Sequence, residues 1–86
     1  METEKVIFVF YTLEIPGRSW NYRFLPEGWK WFGSSETKRL DFSREEQFQG
    51  PEKNKKEMFK YLTEIFEKLK NEKVVKHYKL TESYSS

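Results

Sequence analysis

The 86-residue chain has no cysteine, no alanine and a single histidine, His77. The missing thiols exclude disulfides, thiolate nucleophiles, cysteine-ligated zinc and iron–sulfur clusters. They also leave a short chain without the staples that small secreted domains rely on, so a reducing cytoplasm is the expected compartment. With one histidine, no histidine-based metal triad can be assembled within the chain, and a Ser–His hydrolase would have to use His77 as its base. A half-exposed strand residue is the simpler role for it. Gly17, Gly28, Gly33 and Gly50 stand far apart, so neither the P-loop nor the dinucleotide-binding glycine pattern is present. Long apolar runs are lacking as well. Residues 6–11 are too few for a signal-peptide h-region or a membrane span, and the charged residues around them argue against export. No cofactor, metal, membrane or small-molecule substrate is expected.

Aromatic residues are what the chain does have. Eight Phe, five Tyr and three Trp make up 19% of it, while the apolar total is only 36%. A chain of this length builds one core, and a small domain buries only about 60–65% of its unfolded surface. A few bulky side chains must therefore hold it, each worth roughly 3–5 kcal/mol on truncation to Ala. The expected organisation is a single α+β domain over residues 1–82 with a loose tail at 83–86: a small antiparallel sheet of three to four strands packed against one long amphipathic helix.

The hydrophobic pattern places the elements. Residues 5–15 (KVIFVFYTLEI) are dense in β-branched and aromatic types without helical spacing, which predicts a central strand buried on both faces near its start. Pro16-Gly17 signals a turn. Residues 18–24 (RSWNYRF) then alternate, placing Trp20, Tyr22 and Phe24 on one face, and so predict a strand paired with the first as a hairpin. After Pro26-Glu27-Gly28, residues 29–32 predict a short third strand, interrupted by Gly33-Ser34-Ser35. Ser43 with Glu46 resembles a capping box opening a brief helical turn through Phe48. Gly50-Pro51 precedes the strongest helix, residues 52–70, with Met58, Leu62, Ile65, Phe66 and Leu69 on one face and an end near Asn71-Glu72. Residues 74–80 predict a closing strand with Val74, Tyr78 and Leu80 inward.

Sixteen Lys and Arg against fourteen Asp and Glu leave a charge of +2, too small to decide a partner; placement matters more. Basic and aromatic residues interleave at Arg18, Trp20, Tyr22, Arg23, Trp29, Lys30 and Trp31. Such mixtures suit single-stranded RNA or DNA, because rings stack on bases while cations neutralise phosphates. Trp20, Tyr22 and Phe24 are better read as core, which leaves Trp29 and Trp31 as contact candidates. The helix start carries Lys53, Lys55, Lys56 and Lys60, and its later half Glu64, Glu67 and Glu72, against the macrodipole preference. Lys53, Lys55 and Lys56 with Lys38 and Arg39 would form one basic patch if the preceding loop folds back. Asp41, Glu45 and Glu46 lie close together in sequence, but a capping role for Glu46 and a solvated Glu45 make acid–base catalysis the weaker reading.

In overall style, an aromatic amino-terminal segment (KVIFVFYTLEI, RSWNYRFL) followed by a Lys/Glu-dense helix (PEKNKKEMFKYLTEIFEKLK) resembles the small early accessory proteins of T-even-like tailed bacteriophages. The resemblance implies a non-enzymatic inhibitor of host enzymes or host defence, such as an inhibitor of an RNA-cleaving toxin, acting in the host cytoplasm. It assigns no individual residue. The expected function is thus that of a binding protein engaging RNA, a ribonucleoprotein or an acidic host protein surface through Arg18, Arg23, Trp29, Lys30, Trp31, Lys38, Arg39, Lys53, Lys55 and Lys56. The alternative is a protein-only interaction module, including a homodimer formed through a strand edge or the helix.

Overall fold

The computed structural model describes residues 4–18, 22–37 and 42–84. Its elements are strands β1 (Glu4–Leu13), β2 (Lys30–Glu36) and β3 (Arg44–Pro51), a 3-10 turn (Glu52–Asn54), helix α1 (Lys55–Asn71) and strand β4 (Val75–Tyr84). The four strands form one antiparallel sheet in the order β2-β3-β1-β4, and α1 packs on one side of it. β1 is central, as its composition predicts. Its period of two sends Ile7, Val9 and Tyr11 into a core shared with Met58, Leu62 and Phe66 of α1, and turns Val6, Phe8 and Phe10 to the opposite face. Phe48 of β3 stands beside Ile7 in that core and is fully buried.

Helix α1 buries the apolar face that its spacing defines, with Ile65 and Leu69 flanking the three fully buried side chains. It ends in a Schellman motif: the Val74 N–H donates to the Leu69 carbonyl at 2.9 Å and the Lys73 N–H to the Lys70 carbonyl at 3.1 Å. The motif needs a left-handed residue, and Lys73 supplies it at φ 61 where glycine is the usual choice. At the other end of α1, Lys5 is buried against Glu52 and Glu82, at 3.9 and 3.6 Å. Tyr78 of β4 donates to Glu67 of α1, tying the helix to the sheet edge.

The strand order and directions are those of a split βαβ arrangement, and where its first helix would stand, the described crossover residues, 14–18 and 22–29, hold no helix. The crossover begins with a type II turn at residues 15–18, where Gly17 takes φ 78. It then lies on the α1 side. Tyr22, Leu25 and Trp29 pack on the core, the Tyr61 hydroxyl donates to the Arg23 carbonyl, and Asn54 Nδ2 donates to the Glu27 carbonyl at 2.8 Å. Trp29 lies flat over Gly50, where a Cβ would come within 2.4 Å of the indole.

Four expectations are corrected. Residues 18–24 do not pair with β1, because both edges of β1 are taken along nearly its whole length by β3 and β4. Tyr22 and Phe24 cannot share a strand face, since Phe24 has φ 57 and is 94% exposed while Tyr22 meets Phe48 edge-on at 4.9 Å; Trp20 lies outside the described residues. Residues 44–48 are strand and not a helical turn. Ser43 bonds to the Tyr11 carbonyl instead of capping, and ladders on both sides of β3 satisfy more backbone groups than one capping box can. Gly33 does not end the third strand but forms a bulge within it, at φ 106. β4 also continues to Tyr84, past the predicted end at Leu80, so residues 83 and 84 belong to the sheet.

Two substitutions test this packing. Lys73→Gly relieves a left-handed conformation costing roughly 1–2 kcal/mol in an L-residue, partly offset by the flexibility of glycine in the unfolded chain. Thermal unfolding followed by circular dichroism is expected to show a rise of a few degrees. Gly50→Ala forces a methyl into Trp29 and is expected to cost at least about 1–3 kcal/mol, read as a fall in the urea midpoint.

Candidate binding surface

The predicted contact residues do not gather into one patch. Trp29 is only 4% exposed, which makes it a core residue and removes it as a contact. Trp31 is half exposed, but its indole N–H is committed to Glu46 Oε2 at 2.8 Å on the helix side of the sheet. Arg18 and Arg23 are exposed in the irregular crossover. Lys53 and Lys56 are exposed at the start of the helical segment, whereas Lys55 is half-buried and pairs with Glu82 at 3.6 Å. Lys38, Arg39 and Asp41 lie outside the described residues, so the patch expected to join them to the helix start does too. Lys30 is exposed on β2 and faces away from α1. His77 is exposed on β4 opposite Thr12, also on the side away from the helix.

Glu45 and Glu46 point to opposite sides of β3, so the two carboxylates cannot act on one substrate. Glu46 is buried on the helix side. The Tyr11 hydroxyl donates to its Oε1 at 3.0 Å and Trp31 to its Oε2, joining β1, β3 and β2 through one carboxyl group. Burial raises its pKa, against the opposing effects of the Tyr11, Trp31 and Ser34 hydrogen bonds and the Arg44 charge. Burial, with the Glu46 carboxylate beside it, pushes the Tyr11 phenol well above its ordinary range. The Glu46 carboxyl itself is buried and works as an internal tie, with the outer part of Trp31 reaching solvent. Among the described residues no three His, Asp or Glu side chains converge as a metal site.

The other side of the sheet is different. Among the described residues no helix or strand covers it, and its rows can be read directly from the register. One row runs Lys30, Gln49, Val6, Ser83; the next carries Gln47, Phe8 and Thr81; the third runs Ser35, Glu45, Phe10, Lys79. Phe32 and Gly33 together stand opposite Gln47, at the bulge. Phe10 is tucked in at 3% exposure between Phe8 and Phe42, at centroid distances of 6.2 and 6.3 Å. Phe8 is half-buried and Phe32 is 58% exposed. Beside Phe32 lies a depression of about 240 Å³ lined by Glu4, Gly28, Lys30, Phe32 and Gln49. Gly28, φ 85, closes against Pro51, whose Cδ would stand 2.8 Å from an added Cβ.

Sequence reasoning passed over Phe8, Phe32, Gln47, Gln49 and Lys79. A signal for them exists in the count of elements: a single amphipathic helix can cover one face of a sheet, so the second apolar face of β1 had to remain accessible. The Glu46 tie carries its own expected outcome. The native state keeps the Glu46 proton to a higher pH than the unfolded chain does, so this group lowers stability as pH rises from the model-peptide value of 4.5 through its raised value. Urea unfolding of Glu46→Gln should lack this part of the decline as pH rises above 4.5. Glu46→Ala, which strands the Tyr11 hydroxyl and the Trp31 N–H, should cost about 1–3 kcal/mol.

Among the described residues no helix is long and apolar enough to cross a membrane. No family model matches the chain, and comparison with curated proteins and with solved structures likewise found nothing similar to it.

Proposed function

We propose that the chain is a non-enzymatic binding protein, an inhibitor or accessory factor, whose open sheet face engages a polyanionic partner: RNA, a ribonucleoprotein or an acidic protein surface. Inhibition of an RNA-cleaving toxin of a host defence system is the concrete form that the resemblance to phage accessory proteins suggests. The observation that carries this reading is the composition of the uncovered face. It sets lysines on both outer strands, Lys30 on β2 and Lys79 on β4, around half-exposed phenyl rings and a central run of amide and hydroxyl side chains. A sheet face left to water alone has no need of Phe8 and Phe32, and an internal packing face would not carry Lys30, Gln47, Gln49 and Lys79.

The exposed helix lysines fit this function less well, because Glu57, Glu64 and Glu67 share their helix. A second reading, a contact with a protein partner through the crossover, is favoured by Phe24. It is 94% exposed, next to Arg23, and held in a left-handed conformation by a segment pinned on both sides.

Retention on immobilised heparin, a generic polyanion, tests the leading reading. The protein should bind at low salt and elute as salt rises. Lys30→Glu combined with Lys79→Glu should elute distinctly earlier, while the same charge change on the helix, Lys56→Glu with Lys60→Glu, should shift elution less. Equal shifts from the two pairs would mean that the open face has no special part in binding.

A further inference from the structure

Resting on that reading, we infer that the open face takes single-stranded nucleic acid, with one base seated in the depression beside Phe32 and a neighbouring base over Phe8. Three observations carry this further than a general polyanion surface. The first is how the apolar groups are distributed. A protein partner is usually met by a contiguous apolar patch at the centre of the interface. Here the rings of Phe32 on β2 and Phe8 on β1 are held about 10 Å apart by the two strand steps between them, with the Gln47 amide in the gap, while half-buried Phe42 lies on the far side of Phe10. Separate rings divided by a hydrogen-bonding side chain match successive bases, each with its own π-face.

The second observation is the depression itself. At about 240 Å³ it is smaller than the roughly 300 Å³ at which pockets for drug-sized ligands begin. It offers one aromatic wall, Phe32, one cation, Lys30, and a donor–acceptor pair in which the Gln49 amide donates to the Glu4 carboxylate. A ring system lying against Phe32 would present its edge to Gln49 and Glu4 and its phosphate to Lys30. Glu4 repels a phosphate, which argues against a free anion here, but its oxygens accept from an exocyclic amine. Adenine and cytosine are thereby favoured over uracil at this position.

The third observation is that the cations stand at the margins. Lys30 and Lys79 lie on opposite outer strands, three strand steps and two side-chain rows apart and so roughly 20 Å from each other, with Gln47, Gln49, Thr81, Ser83 and the rings among them. Bases inward and phosphates outward is the polarity of a single strand laid across a sheet. A duplex has its bases hidden, so neither ring could be used. Glu45, in the row of Lys79, limits the net charge of the face, so modest affinity and a shallow salt dependence are expected.

Fluorescence anisotropy with labelled single-stranded oligo(A), oligo(C) and oligo(U), and with a duplex of the same length, tests the inference at low salt. Oligo(A) and oligo(C) should bind more tightly than oligo(U), and the duplex least. Phe32→Ala, at an exposed position where folding is not at stake, should weaken oligo(A) binding on the order of ten-fold, with Phe32→Trp restoring it. Glu4→Gln should narrow the preference over oligo(U). Binding of the duplex as tightly as the single strands, or Phe32→Ala binding oligo(A) like the parent, would overturn the inference. If the Lys30 and Lys79 variant loses heparin retention while no oligonucleotide binds the parent protein, this inference falls and the broader reading of a polyanion-binding face stands. If heparin retention does not depend on the open face either, both fall.

Discussion

One helix cannot cover two sides of a sheet, and most of the molecule follows from that constraint. α1 supplies a single apolar face, and it is spent on Ile7, Val9, Tyr11 and Phe48. The crossover between β1 and β2 fills the remainder of that side with Tyr22, Leu25 and Trp29. Among the described residues no helix or strand is left to cover the opposite side, where Phe10 is sheltered by its neighbours Phe8 and Phe42. A domain this small has its stability concentrated in one layer. The opposite layer is the one we propose for contacts with a partner.

Polar groups bound the closed layer. Lys5 is buried at one end of β1 with Glu52 and Glu82 in reach, and farther along the same side of the sheet Glu46 receives Tyr11 and Trp31. Buried charge is weak evidence of stability, because desolvation offsets the attraction. Its value here is geometric. The Glu46 carboxyl admits two donors from two different strands, and a one-residue slip of β3 would point it to the opposite face and break both bonds. The bulge at Gly33 acts in the same register. It lets Trp31 reach Glu46 on one side of β2 while Phe32 lines the depression on the other.

Local patterns in the chain carried much of the architecture. The β-branched and aromatic density of residues 5–15 marked a central strand, and the three-and-four spacing from Met58 to Leu69 marked the helix, its buried face and its end. The capping-box pattern at Ser43 misled because it is satisfied by four residues alone, whereas β3 is held by partners far along the chain: Glu46 lies opposite both Val9 and Ser34. The same competition defeated the expected hairpin. Alternation in residues 18–24 is a local property, but β1 had two full-length partners available, and the short turn could not outweigh them. Trp29 and Trp31 were indistinguishable as strings of letters. One is buried over Gly50, and the other straddles core and surface.

What the residues determined by themselves was the inventory: one core built on rings, one helix, no thiol, one imidazole, and balanced charge. Those properties depend on composition and on periods of two and 3.6 residues, which are local. Which groups meet was decided only by long-range pairing. Strand order placed Lys30 and Lys79 on opposite margins of one face, brought Gln47 and Gln49 between the rings, and turned Glu45 and Glu46 apart. No local period encodes that order, because it is settled by the burial gained when the whole chain collapses on a single helix.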